Sequence, residues 1–312
     1  MPKELNFNID RLRVLAALGI VAFHAQSGMV KNIGYAGLPV FLLITFFLGA
    51  VGRSNKDEEF SSFLAGKARR LLLPFVAWVV VYLVYDCLVA IIKHESPSAI
   101  LAGFNPLYGT SIHLWYLPFA FLGLLAVYLL RKTLGNEPIN PMYLATLLIL
   151  AIVSAVSGTY LTDLAMGTFP LPQYIFSLPA LFIGIALGFG QTQENKHNMT
   201  ARVLALPAVI VAIIYKYEMT GNIPEVFTIT YGLAVTLTVL AISRPGGGDR
   251  LTGLLAPLTL GIYLIHPIAI GALNRLSFFH FGIAGQLKFL AAFCLSALAV
   301  YFLKLTRFKV IV

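Results

Sequence analysis

Residues 71–92 read LLLPFVAWVVVYLVYDCLVAII, an apolar run of 22 residues interrupted by a single carboxylate, Asp86. Coiled as an α-helix at about 1.5 Å per residue, such a run is about 33 Å long, enough to cross the roughly 30 Å hydrocarbon core of a bilayer. GKARR precedes it and Lys93 follows it, so cations stand at both ends. A transmembrane helix needs so long a stretch, and a helix in a soluble core does not.

Runs of the same kind recur on either side. Spans are expected at residues 14–30, 33–51, 71–92, 114–130, 142–161, 174–189, 203–215, 226–242, 254–273 and 283–303. The run at 203–215 is the shortest, and Lys216 and Glu218 beside it would reach the interface by snorkelling. Of the 312 residues 59% are hydrophobic and 11% charged, against about 25% charged in an ordinary soluble domain. Polar residues are too scarce to cover a water-facing globule. The expected fold is all-α: a polytopic membrane helix bundle of about ten transmembrane helices, forming one domain over residues 1–312, with the lipid bilayer as its main partner. Residues 1–10 are polar and no small-residue cleavage site closes the first apolar run, so the first helix is expected to stay in the protein.

The net charge of +9 is carried by short connections between apolar runs. With the N-terminus inside, the outer side keeps only Lys31, Lys93, Lys216, Arg275 and Lys288 of the 22 basic residues. The positive-inside rule therefore puts both termini in the cytoplasm and explains the charge without a nucleic-acid partner. Cys87 and Cys294 both lie in apolar segments, which points to packing rather than to a disulfide framework or a metal site. The glycines at 246–248 lack the lysine and flanking strand of a phosphate loop and read as a flexible connection.

The chemistry-bearing residues begin in NIDRLRVLAALGIVAFHAQ, residues 8–26. Arg13 and His24 are eleven positions apart, about 16 Å of rise and only about 20° of rotation, so they share one helical stripe. Asp10 is placed to orient Arg13 by an i, i+3 pair. An imidazole at membrane depth is costly and faces a bundle interior or a wet cavity; its competing reading is an interhelical hydrogen bond. Lys67, Arg69 and Arg70 cluster where the chain enters the membrane, suited to phosphate groups or, as the plainer reading, to topology and anionic lipid. HLWYLP gives His113, Trp115 and Tyr116, and GIYLIHP gives Tyr263 and His266, all expected toward the outer side, where Trp115, Tyr116 and Tyr263 have the competing reading of an interface belt and the two histidines do not. A sugar would fit among such groups. Asp86 is expected to pair with Lys93, and Lys288 to snorkel.

In this order the motifs resemble the acyltransferase 3 family of membrane-bound acyltransferases. The resemblance spans nearly the whole chain: Arg13 and His24 in the first helix, Phe41, Phe46 and Phe47 in the second, RLLLP from Arg70 to Pro74, HLWYLP from His113 to Pro118, and YLIHP from Tyr263 to Pro267. It implies transfer of an acyl group, commonly acetyl, from cytoplasmic acyl-CoA to a hydroxyl of a carbohydrate such as a lipid-linked or surface polysaccharide, in the cytoplasmic membrane of a bacterium. Acyl-CoA would be a donor substrate, with no tightly bound cofactor. Lys67, Arg69 and Arg70 would hold the CoA phosphates, and Arg13, with Asp10, would direct the thioester inward. His24 would act as general base or acyl relay. The acceptor would lie among His113, Trp115, Tyr116, Tyr263 and His266, and polysaccharide assembly proteins are potential partners.

The chain departs from that pattern in the second helix, where the family has Ser-Gly and this sequence has Thr45-Phe46. A phenylalanine there would close a gap left by glycine, so a different acceptor or a different packing is expected. The resemblance is to compact members without an added hydrolase-like domain. Two other readings remain at this point: a transporter or flippase of a polar substrate, and a non-catalytic scaffold of a polysaccharide complex.

Overall fold

The computed structural model describes residues 7–51, 59–134, 140–164, 168–191, 225–243, 246–280 and 282–312. Apart from one isolated bridge between Asn105 and Gly109, the described residues are helices joined by turns and irregular connections. In chain order the helices are α1 (Phe7–Ala25), α2 (Gly28–Gly34), α3 (Gly37–Val51), α4 (Phe60–Lys67), α5 (Leu73–Ile92), α6 (Pro97–Ala102) and α7 (Tyr116–Leu134). They continue as α8 (Pro141–Leu164), α9 (Leu171–Gln191), α10 (Glu225–Ser243), α11 (Arg250–Leu255), α12 (Thr259–Leu273), α13 (Gly282–Gln286) and α14 (Lys288–Lys304).

Five helical runs among the described residues are long and apolar enough to cross a membrane: Gly28–Val51, Phe60–Ile92, Ile112–Leu134, Leu171–Gly190 and Arg250–Leu273. The chain is a multi-pass membrane protein. The expected span at 203–215 lies outside the described residues.

The run quoted first is the bundle's rim. On α5 the large exposed residues Leu73, Val76, Val80, Val84, Leu88 and Ile91 recur every three or four positions, forming one lipid-facing stripe. Phe75, Trp78, Val79 and Tyr82 occupy the opposite face and are buried. The Trp78 indole donates to the Ile311 carbonyl at 2.8 Å, holding the C-terminal 3-10 turn Arg307–Ile311 against α5.

α1 takes the centre, against α2, α3, α10, α12 and α14. Lipid tails are as apolar as leucine, so helices associate in a membrane through close packing of small residues. α1 accordingly buries Ala16, Ala17, Ala22 and Ala25. At Gly37 of α3 an added Cβ would stand 2.3 Å from the Ala16 carbonyl oxygen, so only glycine allows this approach.

Several expectations are corrected. The second span begins at Gly28 and carries a turn at Tyr35 and Ala36 between α2 and α3, and the first ends at Ala25 rather than at Val30. Lys67, Arg69 and Arg70 do not lie in a connection but on a helix that runs from Phe60 to Ile92, with a π-helical turn over Ala68–Leu72. The proline ring of Pro74 would clash with the Arg70 carbonyl in an ideal α-helix, and the wider turn makes room for it. The glycines near 246–248 clamp the start of α1: a Cβ at Gly246 would meet Asn8 Oδ1 at 2.2 Å and one at Gly248 would meet the Phe7 ring at 2.6 Å. Asp86 makes no ion pair with Lys93, since the ion pairs among the described residues are Arg11–Asp249 and Arg13–Asp10. Cys294 is exposed, so it does not pack in the interior. The Lys288 ammonium donates to Asn274 Oδ1 at 3.0 Å.

Candidate active site

α1 and α12 lie side by side and face each other through polar side chains. At one end Arg13 donates to Asp10 Oδ1 at 3.1 Å and reaches the Thr259 hydroxyl at 3.5 Å. At the other, the His24 ring lies with its centroid 5.0 Å from that of His266. Thr259 and His266 are seven positions apart, two helical turns, so they share a face just as Arg13 and His24 do. The i, i+3 pair expected of Asp10 and Arg13 is formed.

The conformation of His266 follows from the residue after it. Pro267 sits inside α12 without an N–H, so the carbonyl four residues back, that of Tyr263, loses its helical donor. The His266 ring supplies the replacement, with Nδ1 2.6 Å from the Tyr263 oxygen. A carbonyl can only accept, so the proton is on Nδ1 and the neutral ring has its lone pair on Nε2. That nitrogen is buried without a hydrogen-bond partner among the described residues.

His113 completes a group of three imidazoles, its centroid 5.4 Å from that of His266. It lies on the 3-10 turn Ile112–Trp115 that opens α7. Ser111 Oγ is 3.0 Å from its Nδ1, the Tyr263 hydroxyl donates to its backbone carbonyl, and the Tyr82 ring stands edge-on at 5.0 Å. The Tyr82 hydroxyl in turn donates to the Leu264 carbonyl at 2.7 Å. His113 and His266 are buried, at 5% and 0% exposure, whereas His24 is exposed. Two enclosed, tethered rings therefore back one that is exposed. Among the described residues no group of His, Cys, Asp or Glu side chains is arranged to hold a metal ion.

Between the two ends lies Tyr116, buried, its hydroxyl 3.0 Å from Thr45 Oγ1 and its ring 5.2 Å from Tyr263. Arg13 and Arg70 are both within electrostatic reach of that hydroxyl. Lys304 joins them: its ammonium donates to the Pro257 carbonyl at 2.5 Å and it feels the charge of Arg13. Arg69 and Arg70 are exposed, and the Lys67 ammonium lies 5.4 Å over the Phe63 ring.

His24, His113, Tyr116, Tyr263 and His266 thus form one connected group, with Arg13 and Asp10 at its far end. Trp115 packs instead against Phe119 and Tyr174. Trp115, Tyr116 and Tyr263 are interior residues, at 4%, 6% and 5% exposure, so the belt reading does not hold for them. Thr259, Ser111, Tyr82 and Lys304 were not singled out from sequence. Thr259 alone had a signal, its two-turn spacing from His266.

A family model for the acyltransferase domain, that of the acyltransferase 3 family, matches residues 6–305. The chain belongs to the acyltransferase 3 family. The match takes in nearly all of these 312 residues, and the family supports acyl transfer as its reaction. No curated protein and no solved structure matches the chain.

Within this acyltransferase the departure at residues 45 and 46 resolves into two separate effects. Thr45 keeps a hydroxyl at the place of the family serine and uses it on Tyr116. Phe46 is fully buried, and its ring lies over Gly123 of α7, where an added Cβ would stand 2.3 Å from Cε1. The side chain missing from position 123 leaves the space that the phenylalanine at 46 fills.

Proposed function

We propose that this acyltransferase moves an acyl group, acetyl in the simplest case, from cytoplasmic acyl-CoA to a hydroxyl of a carbohydrate such as a lipid-linked or surface glycan. The observation that carries the reading is the placement of His24. It is exposed, backed by two buried imidazoles, and joined to Arg13 by one helical stripe. Both chain ends are taken to be cytoplasmic, in the inner membrane of a bacterium, which puts Arg13, Arg69, Arg70 and Lys304 at the donor side.

The chemistry then runs from charge to base. Guanidinium and ammonium groups bind the CoA phosphates, Arg more specifically than Lys because its planar fork matches phosphate oxygens. Arg13, held by Asp10 and Thr259, guides the thioester inward. A sugar hydroxyl is a weak nucleophile until its proton is taken, and a neutral imidazole suits that task. His24 accepts the proton as the oxygen attacks the thioester carbonyl carbon; the C–S bond breaks and the proton passes to the departing thiolate. The same nitrogen would be the attacking atom in an acyl-histidine relay.

Purified protein incubated with radiolabelled acetyl-CoA and an oligosaccharide acceptor tests the donor and the acceptor class. Label on the sugar, with a matching loss of O-acetyl groups from surface glycans of cells lacking the protein, is the expected result. Unlabelled sugar under conditions where the protein binds CoA would direct the search to another acceptor. Failure to bind CoA at all would overturn the donor assignment.

A further inference from the structure

The buried lone pair on His266 has no use in that scheme as it stands. We infer that His266 is a positioning residue: it accepts an N–H from His24 and so fixes His24 in the one tautomer whose other nitrogen is free to act as a base. The inference rests on the proposed role of His24.

Elimination among the neighbours leads to it. Three rings lie close to that of His266: His24 at 5.0 Å, His113 at 5.4 Å and Tyr263 at 5.9 Å. The Tyr263 hydroxyl is spent on the His113 carbonyl. His113 is held at Nδ1 by Ser111; its Nε2, like that of His266, is buried without a hydrogen-bond partner among the described residues, and its ring lies beside the Leu264 carbonyl, the acceptor for an N–H carried there, and farther from His266 than the His24 ring does. His266 itself has no exposure, so solvent does not reach Nε2. His24 remains. It sits in the last turn of α1, one residue from the helix end at Ala25, and is exposed.

The arrangement needs no change in His266 during turnover. Its Nδ1–H goes on donating to the Tyr263 carbonyl that Pro267 leaves without a helical donor, and its Nε2 keeps accepting from His24. His24 gains the hydroxyl proton on its outward nitrogen and returns it to the thiolate. An imidazole locked in the wrong tautomer presents an N–H to the alcohol and cannot take its proton, which is how loss of an orienting partner disables a base whose position is otherwise intact.

The test is spectroscopic and kinetic together. In the full chain, labelled with 15N-histidine and placed in nanodiscs, long-range 1H–15N spectra report the tautomer of each imidazole, and His24 is assigned by the signal lost in His24→Gln. A single His24 tautomer is expected in the unmodified protein and in His266→Gln, whose amide oxygen can accept, and a mixture of both in His266→Leu. His266→Leu should lower kcat by roughly 10- to 100-fold with KM for acyl-CoA within twofold, and His266→Gln should recover most of it. Two His24 tautomers in the unmodified protein would overturn the inference whether or not the leucine variant folds, as would a single tautomer persisting in His266→Leu. Acyl transfer that survives His24→Ala would instead defeat the assignment of His24 as base, and would leave the tautomer result standing.

Discussion

Arg13 of α1 reaches Thr259 of α12 across 246 positions of sequence, at 3.5 Å, while holding Asp10 three residues before it at 3.1 Å. A guanidinium has five donors in a rigid fork and can serve both neighbours and still turn an N–H toward an incoming ligand. That makes Arg13 a bridge between the helix that carries His24 and the helix that carries His266.

Replacing Arg13 by Gln is expected to raise KM for acyl-CoA by about 10-fold or more, the usual range for losing a hydrogen bond to a charged group. Arg13→Lys should fall between, since one ammonium keeps the charge but not the fork. Steady-state kinetics with both variants checks the order, and an unchanged KM in Arg13→Gln would remove Arg13 from the donor site.

Arg69 and Arg70 are exposed on their π-helical turn, so a phosphate bound there feels salt. Raising the ionic strength toward 0.5 M, where the screening length falls to about 4 Å, should weaken CoA binding to the unmodified protein. The double variant Arg69→Ala, Arg70→Ala should bind more weakly at low salt and lose little more at high salt. Calorimetric titration with CoA measures both, and equal salt dependence in the two proteins would place the phosphates elsewhere.

The fit of Phe46 over Gly123 is expected to show as coupling. Gly123→Ala should destabilise the protein by about 1–3 kcal/mol through overpacking, and Phe46→Ala by about 3–5 kcal/mol through the cavity it leaves. The double variant should cost less than the sum, because the alanine methyl grows into space that the ring has vacated. Additive losses in a thermal or denaturant series would contradict the contact.

Asp249 supplies a pH signature at one end of the bundle. Hydrogen bonds from the Thr252 N–H and hydroxyl, both at 2.8 Å, and from Arg11 hold its carboxyl down to about 2, against an ordinary 3.8. A depressed carboxylate stabilises the fold fully above the unfolded value and loses that contribution as pH falls through the folded one. The melting temperature of the unmodified protein should therefore decline between about pH 4 and pH 2, and Asp249→Asn should be lower at pH 7 and flatter across that window. Parallel pH curves for the two proteins would rule the network out.

The sequence made the lipid-facing architecture legible because a bilayer imposes length and apolarity residue by residue, and the run at 71–92 displays both. It also made Arg13, His24 and Asp10 legible, since they share one helix and helical spacing is periodic. The meeting of His113 with His266 was not, because Tyr82 of α5, the turn that opens α7 with Ser111 and His113, and Tyr263, Leu264 and His266 of α12 come together from three separate elements, and no period connects one element to another. Trp115, Tyr116 and Tyr263 were open to misreading as interface residues: at helix ends, composition is the same whether an aromatic ring faces lipid headgroups or a neighbouring helix. The wide turn at Ala68–Leu72 had a local cause in Pro74 and stood within reach of the sequence.

The most direct measurement is single-turnover transfer of a labelled acyl group from acyl-CoA to a sugar acceptor by purified protein and by its His24→Ala variant, with CoA binding and melting temperature measured on both. The account predicts that transfer falls by at least about 10²-fold, the contribution typical of a positioned general base, while CoA binding and the melting temperature stay close to those of the unmodified protein. Transfer at the unmodified rate by His24→Ala would contradict it.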